Sequence, residues 1–241
     1  MIDWLLKHQR GDKVHHNQAR PVYPGWLEVL CTQVVQTPGD PGKPPFELIS
    51  FEDQPLDFVA ETVRPSRQAV LMLRDPFNQF ASRLRNIENH RLKDVSHVVT
   101  VNQVNPALWK QYAREFLRPN YLPHAVRLNF NVWYTSVSYR RHIAEQLGWT
   151  FTDQGFGSTD GWRFSRGSSF GDRDPKNLDL FNRWRAYRDD PEFLSYCDDE
   201  IRQLSAEIFD FVPPLCASAL PMPETSGCDE TADRSSTVTG T

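Results

Sequence analysis

The chain has 241 residues, a formal net charge of -4 and 39% hydrophobic residues. That length suits a single domain with its own core. The acidic balance argues against a general nucleic-acid binder, and 12% aromatic residues argue against disorder throughout. No apolar run is long enough to cross a bilayer, and no cationic start precedes an apolar stretch. A soluble, cytoplasmic protein without a transmembrane segment is therefore expected.

Residues 2–8 (IDWLLKH) read as the first turns of a helix, with Ile2, Leu5 and Leu6 on its apolar side. A short strand and a loop follow over 13–24. Residues 26–35 are apolar without a clear period, and 37–45 (TPGDPGKPP) form a turn-rich loop. Residues 46–51 (FELISF) are a strand candidate closing on Glu52 and Asp53. Residues 67–73 (RQAVLML) are a stronger one, whose unbroken apolar run fits a strand covered on both faces of a parallel sheet.

Asp75-Pro76 then predicts a capped helix to about Asn89, and Asn105-Pro106 opens a second over 105–118. Residues 125–130 (AVRLNF) are a third strand. A helix over 132–147 ends at Gly148, and 152–177 form a long Gly/Ser/Asp-rich loop. Helices follow at 178–187 and 198–209, and the Pro/Ser/Thr-rich residues 213–241 read as a disordered tail. Strands alternating with helices predict an α/β fold with a parallel central sheet flanked by helices over residues 1–212.

The charge is uneven. Residues 64–93 hold seven Lys/Arg against Asp75 and Glu88, and residues 162–188 hold seven against Asp172, Asp174 and Asp179. Two basic islands in an acidic chain point to a local anion site or to two solvated helix faces. Cys31, Cys197, Cys216 and Cys228 form no CxxC pair, and the seven histidines lack a ligand spacing, so no metal is expected.

Ligands of open α/β sheets bind at the carboxyl ends of the strands, and Arg74 follows the best strand directly. Ser82 lies eight residues later, two turns into the next helix. A guanidinium fork beside a hydroxyl suits a phosphate monoester. The segment VLMLRDPFNQFASR (70–83) resembles the 3′-phosphate-binding segment of sulfotransferases that use PAPS (3′-phosphoadenosine 5′-phosphosulfate). There a strand ends in Arg-Asp/Asn-Pro and a Ser follows at this spacing. Residues 165–173 (SRGSSFGDR) are similar to the late basic, Gly-rich loop of that family. Arg166 and Gly167 match its basic-Gly pair, and Gly171 and Asp172 its Gly-Asp, with one extra residue between the glycines. Gly167 and Gly171 allow turns that aim backbone N–H groups, with that of Ser168, at a phosphate.

The resemblance implies a P-loop-like three-layer sandwich and PAPS as co-substrate. It further implies sulfuryl transfer to a hydroxyl or amine of a carbohydrate or small-molecule acceptor. Arg74, Ser82, Arg166, Gly167, Ser168 and Gly171 would bind the nucleotide. The catalytic base would be Glu52, after the strand FELISF, or His16, with His15 beside it. Trp162 and Phe164 could stack on adenine, and Tyr139, Arg140 and Arg141 are structural or secondary phosphate candidates. The family's N-terminal strand and phosphate-binding loop have no counterpart, since GxxxxGK[ST] occurs nowhere, and neither Lys7 nor Lys13 replaces the loop lysine. The chain is therefore expected to lack that N-terminal part, and a non-catalytic PAP-binding protein of the same fold is the alternative (PAP is adenosine 3′,5′-bisphosphate). A nucleotide kinase would need the missing Walker lysine.

Overall fold

The computed structural model describes residues 4–5, 10–15, 34–35, 45–63, 68–91, 103–156 and 179–215. Five strands fall within them: β1 (Arg10–His15), β2 (Val34–Val35), β3 (Pro45–Ile49), β4 (Val70–Leu73) and β5 (Val126–Asn129). Seven helices do as well: α1 (Leu56–Thr62), α2 (Pro76–Arg91), α3 (Pro106–Leu117), α4 (Phe130–Thr135), α5 (Val137–Gln146), α6 (Pro191–Tyr196) and α7 (Asp199–Phe209), with a 3₁₀ turn at Arg183–Tyr187. The architecture is mixed α/β. Strands β4 and β5 pair in parallel, with Val70 opposite Val126 and Leu73 opposite Asn129. Strand β1 pairs in parallel with β3 and antiparallel with the short β2, in the order β2-β1-β3.

Helix starts follow the capping chemistry legible in the sequence. The Asp75 carboxylate accepts the Asn78 N–H at 2.9 Å, Asn105 accepts the Leu108 N–H at 3.0 Å, and Asp190 accepts the Phe193 N–H at 2.8 Å. Each is followed by proline at the first helical position, where a missing N–H costs nothing. Phe77, Phe80, Ala81, Leu84 and Ile87 repeat at helical spacing, so α2 buries one continuous face. That face meets Trp109 and Ala113 of α3, Trp184 and Tyr187 of the 3₁₀ turn, Phe193 of α6 and Ile201 and Leu204 of α7.

The expected helix over 132–147 is two helices. Ser136 is extended and its hydroxyl caps α5 through the Tyr139 N–H at 3.1 Å, which breaks the run. Helix α5 ends as expected: Gly148 has φ of 71°, its N–H bonds the Glu145 carbonyl at 2.9 Å, and the Trp149 N–H reaches the Ala144 carbonyl at 2.8 Å. A Cβ at Gly148 would meet nothing within 4 Å. Gly148→Ala should thus cost only the left-handed backbone penalty, about 1 kcal/mol, read as a lower urea midpoint. An unchanged midpoint would place the cap's conformation in doubt.

Alternation along β4 and β5 puts a cluster on each face of the pair. Leu73 joins the α2–α3 cluster. Val70, Val126 and Leu128 join a second one around Trp4, Leu5, Trp133 and Ile143, in which Trp4 meets Trp133 edge-on at 5.7 Å. Coverage is incomplete, which corrects the expectation of a strand buried on both faces: Met72 is 41% exposed. The expected helix over 178–187 is also corrected. Asp179 accepts the Asn182 N–H at 3.0 Å in a side-chain turn that competes with helix, so only the 3₁₀ turn forms. Helix α1 had not been expected; Leu56 and Val59 anchor it against Leu122. Packing continues to Leu215. Among the described residues no helix is long and apolar enough to cross a membrane.

Candidate functional site

The parallel pairing of Leu73 with Asn129 brings Arg74 and Phe130 out side by side at the carboxyl edge. The Arg74 guanidinium lies 5.4 Å from the centre of the Phe130 ring. Its Nη2 donates to the Leu180 carbonyl at 2.6 Å, while its backbone carbonyl accepts the Trp109 indole N–H at 3.0 Å. Its Nε is buried and meets no acceptor among the described residues. Burial lowers the Arg74 pKa, and the neighbouring Asp75 charge opposes that shift.

Asp75 is fully buried, and its carboxylate organises the corner. Oδ1 accepts both the backbone N–H and the side-chain amide of Asn78 at 2.9 Å. Oδ2 accepts the Asn131 amide at 3.0 Å. Asn78 is equally buried. Its Nδ2 donates to the Phe181 carbonyl at 3.1 Å, and its Oδ1 accepts the Arg183 N–H at 2.8 Å. One polar network therefore fastens β4, α2, α4 and residues 180–183 together. Asn131 Oδ1 is buried and meets no donor among the described residues.

Ser82 lies one turn beyond Asn78 on the same face of α2. It accepts a hydrogen bond from Arg183 Nη1 at 2.8 Å. Arg74 and Ser82 thus both contact one short segment, residues 180–183. Arg183 is only 7% exposed, and burial, then repulsion by Arg74, lower its pKa to about 10. That value leaves it charged at neutral pH. Two guanidiniums, a hydroxyl and an unsatisfied buried N–H can hold an anion bearing several oxygens. Arg183 belonged to the second basic island, but nothing local singled it out; its partner Ser82 is 101 residues away.

Glu52 is exposed just beyond β3. The next residue, Asp53, has φ of 57°, and its carboxylate grips Arg83 with two hydrogen bonds of 2.7 and 2.8 Å. The end of β3 is therefore tied to α2 one residue past Ser82. His15 ends β1, whose backbone alone is described. His16, Trp162, Phe164, Arg166, Gly167, Ser168, Gly171 and Asp172 lie outside the described residues.

Tyr139, Arg140 and Arg141 are held by structural contacts. The Tyr139 hydroxyl accepts the Asn129 N–H at 3.0 Å. Arg140 is 3% exposed, binds Asp153 through two hydrogen bonds of 2.7 and 2.8 Å, and lies 3.6 Å from the Phe156 ring centre. Arg141 lies 4.6 Å from the Phe151 ring centre. A cavity of about 820 Å³ opens elsewhere, between α1, α3 and α7, and contains none of the expected site residues. Its lining carries Asp57, Glu115, Glu200 and Glu207 against Arg114 and Arg118, with Arg114 paired to Glu200, an acidic balance that does not suit an anion. Among the described residues no group of three or more His, Cys, Asp or Glu could hold a metal ion.

Comparison of the chain with family models, curated proteins and solved structures finds no match.

Proposed function

We propose that the chain binds PAPS or PAP at the carboxyl edge of β4–β5 and transfers the sulfuryl group to a hydroxyl or amine of a carbohydrate or small-molecule acceptor. The observation that carries this reading is that Arg74 and Ser82 both contact residues 180–183, Ser82 through Arg183. That positive, hydroxyl-bearing corner fits the 3′-phosphate, and the free Arg74 Nε is a donor for one of its oxygens. In this reading β4 and β5 are the centre of a parallel three-layer sandwich, which the clusters on both of their faces favour.

PAPS supplies the activated sulfuryl group. Arg74 and Ser82 hold the nucleotide, with Arg166, Gly167, Ser168 and Gly171 as its further binding residues. Glu52 or His16 takes the acceptor's proton as the acceptor oxygen or nitrogen bonds to sulfur and the bond to the 5′-phosphate breaks. The tether from Asp53 to Arg83 favours Glu52, since it holds the end of β3 against the helix that carries Ser82. Equilibrium dialysis of the full chain against ³⁵S-labelled PAPS tests the reading. Retention that excess PAP displaces and adenosine does not is the expected result; no retention by a folded chain overturns it.

A further inference from the structure

We infer that the peptide between Leu180 and Phe181 closes the binding edge of Arg74 in the free chain and turns over when a phosphate takes that edge. This rests on the nucleotide reading above. A guanidinium offers a phosphate pairs of donors side by side, and on the edge facing away from Cδ these are Nε and Nη2. On Arg74 that edge is already half taken. Nη2 donates to the Leu180 carbonyl at 2.6 Å, whereas Nε is buried and meets no acceptor among the described residues. A phosphate bound to both nitrogens must therefore displace the carbonyl. The exchange is favourable, because a charged oxygen accepts more strongly than a neutral carbonyl and the buried Nε gains the acceptor it lacks.

The chain on either side of this peptide is fastened. Asp179 accepts the Phe181 N–H at 3.3 Å and the Asn182 N–H at 3.0 Å. Asn78, on α2, donates to the Phe181 carbonyl at 3.1 Å and accepts the Arg183 N–H at 2.8 Å. The longest of these four bonds, from the Phe181 N–H, is the one that the turn breaks. The C=O and N–H of a trans peptide point in opposite directions, and among the described residues no peptide is cis. With its carbonyl on Arg74, the peptide therefore directs its N–H away, to Asp179. Turning the plane withdraws the carbonyl and brings the Phe181 N–H to the anion's side, so a neutral acceptor gives way to a donor. Asp179 keeps the N–H and the side-chain amide of Asn182, and Asn78 keeps Arg183. The apparent affinity is lowered by the fraction of chains in which the peptide has not turned.

Nuclear magnetic resonance of the full chain, labelled with ¹³C and ¹⁵N and titrated with PAP, tests this. Saturating PAP should move the Leu180 carbonyl carbon upfield, as its hydrogen bond is lost, and the Phe181 amide proton downfield. The Arg183 amide, held by Asn78, should stay protected from hydrogen exchange. Adenosine, which carries no phosphate, should move neither resonance. Arg74→Ala should show the upfield Leu180 carbonyl without ligand, and PAP should not move it further. A Leu180 carbonyl or Phe181 amide unmoved in a wild-type chain saturated with PAP overturns the inference, whether or not Arg74→Ala folds. So does an Arg183 amide that loses its protection, since the whole segment would then leave α2. A wild-type chain that binds no PAP by calorimetry removes the nucleotide reading, and this inference with it. A chain that binds PAP with the peptide unmoved removes this inference alone.

Discussion

Asp75→Ala is expected to destabilise the chain by about 3–5 kcal/mol. The carboxylate is fully buried and accepts three hydrogen bonds: the N–H that starts α2 and the side-chain amides of Asn78 and Asn131. Alanine removes the cap, worth about 1 kcal/mol, and leaves buried amide donors without an acceptor. It also removes the anion that favours the charged forms of Arg74 and Arg183. Asp75→Asn should cost less, because one oxygen can still cap the helix while its new amide can donate to Asn131 Oδ1 once the Asn131 amide turns over. Urea unfolding of the two variants measures both effects. A loss below about 1 kcal/mol for alanine would mean that this network does not hold the corner together.

Arg74→Ala should lower PAP affinity about 100-fold, or 2.7 kcal/mol, the scale of charge-assisted hydrogen bonds to a phosphate. The fold should survive. The Trp109 indole bonds the Arg74 carbonyl, which alanine keeps, so α3 remains docked on the strand end. The direct structural losses are the bond to the Leu180 carbonyl and the contact with the Phe130 ring. Arg74→Lys keeps the charge but not the fork and should fall between. Competition against labelled PAPS ranks the three chains. Equal affinity in all of them would place the phosphate away from the carboxyl edge.

Both variants act on a corner that was largely legible in the sequence. Asp75-Pro76 and Asn105-Pro106 announce helix starts because a side-chain acceptor and a proline meet the needs of the first turn without tertiary help. Gly148 announces a helix end because the left-handed conformation excludes most other residues. Asp190-Pro191 carries the same start signal for α6, but that helix has only six residues and shows no apolar period of its own beside that of 198–209. Helix α1 was illegible for a physical reason: Pro55 offers no side-chain cap, and the face that packs is completed by Leu122, far away in the chain.

The site divides in the same way. Arg74 and Ser82 share one strand–helix unit, so their spacing is local information. Arg183 meets Ser82 only because Asn78 draws the 3₁₀ turn onto α2, a contact across about 100 residues that no spacing rule contains. Arg140 illustrates the reverse error available to sequence reasoning. A basic residue on an amphipathic helix reads as a phosphate candidate, yet its fork is taken by Asp153 and its face by Phe156.

The central claim is that the carboxyl edge of β4–β5 binds a 3′-phosphorylated nucleotide. A calorimetric titration of the purified full chain with PAP, beside Arg74→Ala, tests it most directly. Single-site binding by the wild-type chain that Arg74→Ala loses is the predicted result. A flat titration by a folded wild-type chain, or binding that Arg74→Ala retains in full, would contradict it.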